Sequence, residues 1–314
     1  MRRTCLIVAA TVALPAAALA APAASARLAA SHGVKNLHRV TVRLSKGHVC
    51  GKAVINGMTE NGTVIGTTFC GRSAAFVRKP SGATTVYRLP KKYGRYTYAS
   101  NISSNGIMAV VGQHKTGGKS TSYLVARNGD ITALVDPAAA GHDTVVNGVN
   151  RYGAAVGIYC LNHKCSKSAS FIYRRGSFTT FTLKRKQLLP NLSEITDRGA
   201  LIGSFYQYPN GNLRGFVRAH GKTKVIDAPG ASQKLGYGTF LLGGANHGTV
   251  CGASSGPHRY EVGFVRRHGH NHVINLKPHV HHAFSAIEAC NDSGEVAIHA
   301  RLKSGPAVFL GKLG

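Results

Sequence analysis

The chain has 314 residues, and its 39 Lys and Arg against 11 Asp and Glu give a formal charge of +28 at pH 7. With 38 Gly, 11 Pro and no Trp, it lacks the long helix-forming runs of a bundle or coiled coil and points to short strands and turns. So few carboxylates disfavour any chemistry that needs several converging acids, while the excess of bases favours a partner of opposite charge.

The N-terminus reads as an export signal. Arg2 and Arg3 form a basic n-region, residues 6–20 an apolar h-region, and Ala18, Leu19 and Ala20 a small-residue cleavage site; Ala24, Ser25 and Ala26 form an alternative site. The apolar stretch is shorter than the roughly 20 residues a membrane span needs. The expectation is a signal peptide over residues 1–20 (or cleavage after 26), no transmembrane segment, and a secreted or periplasmic monomer. Cleavage removes Cys5 and leaves six cysteines, an even number that suggests disulfides in an exported chain. Cys160 and Cys165 flank a short loop. Cys50 and Cys70 stand equidistant from residue 60, in the turn between two expected strands, and would face each other in an antiparallel pair. Cys251 and Cys290 pair by elimination.

The rest of the chain is six repeats, placing residues 35–314 in one domain. Aligned on Gly62, Gly106, Gly153, Gly199, Gly248 and Gly294, their spacings are 44, 47, 46, 49 and 46, the length of a propeller blade. Three residues before each glycine stand Thr59, Ser103, Asn150, Thr196, Ala245 and Asn291; all but the alanine can bond their own backbone and start a turn. A second glycine follows at Gly66, Gly157, Gly203 and Gly252, is delayed to Gly112 in the second repeat, and is replaced by Ile298 in the sixth. Next comes an aromatic residue (Phe76, Tyr123, Phe171, Phe216, Phe264, Phe309) followed by a base, a turn glycine, and a further strand at 84–89, 131–135, 178–183, 223–228 and 272–276. Each repeat therefore predicts four strands, a to d, joined by hairpins. The sixth ends at its c–d turn, and residues 38–44 resemble the missing strand d. The expected fold is an all-β, six-bladed β-propeller closed by an N-terminal strand that completes the C-terminal blade and leaves no open edge.

The run V-N-R-Y-G-A-A-V-G over residues 149–157, followed elsewhere by Ala74-Ala75-Phe76, resembles the HAF family of predicted extracellular repeats, whose consensus is roughly I-N-x-x-G-x-V-x-G and then H-A-F. The resemblance spans all six repeats and implies export and a repeat fold. It carries no functional residues across, and the family's histidine is replaced here by Ala, Ser or Gly.

Motifs for known chemistry are absent: there is no H-E-x-x-H and no P-loop. His268, His270 and His272 alternate on a strand-like stretch, but with His279, His281 and His282 they fall on opposite sides of a blade and read as solvated loop residues, so no metal and no cofactor is expected. Glu194 with Asp197, and Glu288 with Asp292, fall in strand a or its turn. They read as structural, with no catalytic residue assigned. The alternative is a carbohydrate-active lyase or hydrolase with acid and base groups at the channel mouth, where Glu194, Glu288 or Glu261 would meet His114, His163 or His258.

Charge is the feature furthest from the ordinary. Under the blade assignment the b–c and d–a loops share a face holding roughly half of the bases, among them Lys91, Lys92, Arg95, Lys115, Lys119, Lys164, Lys167, Lys184, Arg185, Lys186, Arg259, Arg301 and Lys303, against few acids (Asp136, Asp143, Glu261). Tyr206, Tyr208 and Tyr260 in the same loops could stack on sugars or bases. The expected function is non-enzymatic binding of an anionic polymer: a polysaccharide, an envelope surface or extracellular nucleic acid.

Overall fold

The structure, a computed structural model, describes residues 34–43, 49–184, 187–256, 259–274, 285–302 and 305–314. The expected signal segment lies outside them, as do His279, His281 and His282. Strands β1 (Val34–Arg39), β2 (Val42–Arg43) and β3 (Val49–Cys50) precede the first repeat. Repeat one supplies β4 (Ala53–Met58), β5 (Val64–Thr68), β6 (Ala74–Arg78) and β7 (Thr84–Tyr87); repeat two, β8 (Tyr96–Ile102), β9 (Met108–Gln113), β10 (Ser120–Val125) and β11 (Ile131–Leu134). Repeat three gives β12 (Thr144–Val149), β13 (Ala155–Cys160), β14 (Ser168–Arg174) and β15 (Ser177–Phe181); repeat four, β16 (Gln187–Ile195), β17 (Leu201–Gln207), β18 (Asn212–Ala219) and β19 (Lys222–Ile226). Repeat five gives β20 (Thr239–Gly244), β21 (Val250–Gly256), β22 (Arg259–Arg267) and β23 (His270–Ile274); repeat six, β24 (Ser285–Cys290), β25 (Glu295–Leu302) and β26 (Gly305–Leu313).

Repeats one to five each form an antiparallel set in chain order, the second and third being joined by a parallel bridge between Thr121 and Thr144. In the sixth, the fourth place belongs to β1, so the order runs β1-β26-β25-β24. That strand begins earlier than the expected 38–44. Lys35 pairs with Lys312, His38 with Leu310 and Arg39 with Phe309, with an irregularity at Asn36, whose φ is 54°. The shift lets Val34 and Leu37 pack into the core of the sixth sheet. Val40 and Val42 turn instead onto the first repeat's core, and Val42 pairs with Cys50. Cys50 therefore lies in a short ribbon before strand a, not in strand a itself.

All three expected cysteine pairs form, with Cα–Cα distances of 5.8 Å for Cys50–Cys70, 4.7 Å for Cys160–Cys165 and 6.2 Å for Cys251–Cys290. The last links β21 of the fifth repeat to β24 of the sixth.

The recurring glycine and aromatic have one physical explanation. In four of the six b–c pairs glycine faces the ring, Gly66 opposite Phe76, Gly157 opposite Phe171, Gly203 opposite Phe216 and Gly252 opposite Phe264, and these rings are fully buried; in the sixth, Ile298 faces Phe309. A Cβ on Gly66 would lie 2.6 Å from the Phe76 ring and 2.1 Å from the Val54 carbonyl, so only glycine lets the ring lie flat on the strand. In repeat two Val110 faces Tyr123 and the ring reaches diagonally to Gly112, which accounts for the delayed glycine.

Sequence periodicity does not disclose a second regularity. Every strand a carries a register shift six residues before its turn glycine, at Asn56, Ser100, Asn147, Ser193, Leu242 and Glu288. Such a bulge withdraws backbone groups from the ladder. The N–H just before it is taken up by a hydroxyl of the preceding repeat: Ala99 by Thr67, Val146 by Ser122, Leu192 by Ser170 and Leu241 by Ser204, at 2.9–3.1 Å. Neighbouring sheets are thus joined by hydrogen bonds as well as by their apolar faces.

Candidate functional site

The a–b turns gather at one end of the molecule. Within each, the expected side chain takes the N–H four residues on: Thr59 from Thr63, Ser103 from Ile107, Asn150 from Ala154, Thr196 from Ala200 and Asn291 from Glu295, at 2.9–3.1 Å. The residue after it reaches the neighbouring turns. Asp197 accepts from Arg151 N (2.8 Å) and Ser104 Oγ (2.6 Å), while its own N–H donates to Asn246 Oδ1. Glu60 accepts from Asn246 N at 2.9 Å and Asp292 N at 3.0 Å. Asp292 accepts from the backbone and ring nitrogens of His247. Asn291 Nδ2 donates to the carbonyls of Thr59 and Glu60, tying the last repeat to the first.

Beneath these turns lies a cavity of about 40 Å³ bordered by the last residue of all six strands a: Met58, Ile102, Val149, Ile195, Gly244 and Cys290. That volume holds a few waters. Glu60, Glu194 and Asp197 also line it. Glu194 touches the cavity and so is only half-buried by surface, but protein encloses its carboxylate, and desolvation pushes the carboxyl up to about 8. Hydrogen bonds from Asn101 Nδ2 (2.6 Å) and Ile195 N (2.9 Å) pull the other way without prevailing. Burial likewise raises Glu60 against the pull of its two backbone donors. Asp292 is also raised by burial, but hydrogen bonds from Thr249 and His247 outweigh that and hold it below the ordinary carboxylate range. Glu288, a bulge residue, sits 3.5 Å from His299 Nδ1.

Of the inner-strand carboxylates, Glu194 is therefore held by an amide and a backbone N–H, and Glu288 faces His299 rather than His114 or His163. Those in the turns are bound by backbone N–H groups, and no histidine lines the cavity. His114 and His163 are exposed residues of b–c loops, at the opposite end of their sheets. Among the described residues no three His, Cys, Asp or Glu side chains are grouped to hold a metal.

Because the a–b turns interlock, all the sheets point the same way, and the b–c and d–a connections share the other end. The structure places Lys91, Lys92, Arg95, Lys115, Lys119, Lys164, Lys167 and Lys184 there, all exposed. Arg259 begins β22 and Arg301 lies near the end of β25, on the same side; Arg185, Lys186 and Lys303 lie outside the described residues. Three acids at this end are already engaged. Asp136 is buried and accepts from Ala138 N, Asp143 accepts from Ser120 N, and Asp227, expected inside the fourth strand 223–228, lies just beyond β19 and pairs with Arg214.

Apart from Tyr208, which was expected in these loops, the hydrophobic side chains that share this end left no signal in the sequence. Leu161, Leu188, Leu189, Tyr208, Leu235 and Tyr237 are all exposed. Short loop segments carry no period from which exposure could be read.

No known protein family's sequence profile matches the chain, and no curated protein matches it either. Among solved structures, a gluconolactonase from Xanthomonas campestris superposes with a TM-score of 0.52 at 12% identity, over 95% of this chain and 99% of that one. A triple arginine-to-alanine variant of AofleA from Arthrobotrys oligospora gives 0.50 at 12%, over 87% and 86%. TolB from Acinetobacter baumannii gives 0.46 at 12%, over 83% of this chain and 55% of that one, so this chain spans about half of TolB's length. At these identities the likeness concerns the fold alone, which is all-β and propeller-like.

Proposed function

We propose that the chain is an exported six-bladed β-propeller, closed by β1, whose b–c and d–a face binds an anionic polymer. Pairing of β1 with β26, the bond from Asn291 to the first repeat's turn, and the convergence of six strand ends on one cavity support the ring. Three cysteine pairs support an oxidising compartment.

One observation carries the binding reading: eight exposed bases at one end, where Asp136, Asp143 and Asp227 are already buried, bonded or paired. Uncompensated bases of this density attract polyanions by releasing the polymer's condensed counterions. No histidine lines the cavity at the other end, and its turn carboxylates are held by backbone N–H groups, which gives the hydrolase or lyase alternative little to work with. Binding of heparin, as a model sulfated polysaccharide, at 50 and 200 mM salt tests the reading. Affinity should fall by at least about 30-fold between the two; no binding at the lower salt overturns it.

A further inference from the structure

The loop face is apolar as well as basic. The b–c connection of the fourth repeat, between β17 and β18, stands at the centre of a cluster. On one side strand β16 pairs Leu188 with Tyr206; on the other, Gly236 N and Tyr237 O bond to Gly211 and Leu213. Three chain segments thereby bring Leu188, Leu189, Tyr208, Leu235 and Tyr237 together, with Leu189, Tyr208 and Leu235 exposed by 63, 58 and 56%.

Leu189 carries a second mark. It lies in the register shift between Leu188 and Asn191 with φ at 48°, a left-handed backbone conformation that a branched apolar residue occupies only at some cost. The bulge projects an aliphatic side chain into water where the fold does not require one. Lys184 and Lys234 flank the cluster, both exposed, and the adjacent Asp227 is neutralised by Arg214.

A soluble, hydrophilic polyanion gains nothing from projecting leucines, whereas a bilayer with anionic headgroups satisfies both halves of the surface. Apolar tips enter the interface, and flanking lysines lie at headgroup level. Resting on the polyanion reading, and narrowing it, we propose that this face docks on an anionic lipid surface, with Leu188, Leu189, Tyr208 and Leu235 inserting and Lys184 and Lys234 contacting the headgroups.

The absence of tryptophan makes the test direct. Tyr208→Trp provides a single emitter in the cluster, and Tyr152→Trp a control on an exposed a–b turn at the other end. With vesicles containing phosphatidylglycerol, the first should shift to the blue and be quenched by brominated chains, and the second should do neither. Leu188→Ser with Leu189→Asn should weaken vesicle partitioning on the order of 30-fold while leaving heparin affinity within about twofold. A melting temperature within about 2 °C of wild type shows that this variant is folded. Vesicle binding unchanged by the double substitution, or heparin binding without vesicle binding, overturns lipid docking and leaves the polymer reading standing. Binding to neither heparin nor vesicles at low salt overturns both.

Discussion

Asn101 and Glu194, in the first strands of the second and fourth repeats, meet over Gly148 of the third: Asn101 Nδ2 donates to Glu194 Oε2 at 2.6 Å. Between them a Cβ on Gly148 would lie 2.8 Å from the Glu194 Cα and 2.9 Å from Oε1. One polar contact thus spans an intervening sheet, and it requires a residue with no side chain in the middle.

Gly148→Ala should therefore cost about 2–4 kcal/mol, since the clash falls on backbone as well as carboxylate. Urea denaturation measures it. A cost below about 0.5 kcal/mol would show that the strands separate easily and that the contact is not a constraint on the fold.

Glu194 also makes stability depend on pH. Desolvation pushes its folded carboxyl up to about 8 from an ordinary value of 4.5, so the folded protein retains a proton that the unfolded chain sheds. Stability from this group is level below about pH 4.5, declines through the interval up to about 8, and is level above. The full decline is at most about 5 kcal/mol. Glu194→Gln, which mimics the protonated form, should remove this part of the slope. An identical slope in wild type and variant, measured by chemical denaturation from pH 5 to 8.5, would assign the dependence elsewhere.

Deleting residues 34–39 should expose the edge of β26 and lower Tm by about 10 °C or more, because the pairing from Val34 to Arg39 and the burial of Val34 and Leu37 are lost together. The Cys50–Cys70 bond remains, so the effect reports the strand alone. A melting temperature unchanged within 2 °C would remove the argument for closure.

The two ends of the molecule should differ in binding. Lys115→Glu with Lys119→Glu alters the b–c loop of the second repeat. Lys222→Glu with Lys224→Glu makes the same charge change at the start of β19, by the c–d turn at the opposite end. The first pair should weaken heparin binding roughly tenfold or more, the second by less than about threefold. Equal losses would indicate a diffuse field without a located site.

The repeat, its four strands, the side chains that start the turns and two of the cysteine pairs were legible in the sequence, whereas Cys251 and Cys290 followed only by elimination. The repeat and its turns depend on contacts a few residues apart or on a spacing shared by six repeats, and the two pairs on the hairpin or loop that each closes. Glycine opposite phenylalanine is a local matching of a ring to a bare strand, so it leaves a trace at a fixed interval. The bulges leave none because the bulged residue differs from repeat to repeat; the hydrogen bonds that Asp197 and Glu60 accept from other turns, and the contact of Asn101 with Glu194, leave none because they join residues from 46 to more than 180 positions apart. Charge could be counted in advance, but not which carboxylates would be consumed by backbone donors. Nor could it be foreseen that Leu188, Leu189, Tyr208 and Leu235 would share a surface: three separate segments meet there, and only folding brings them together.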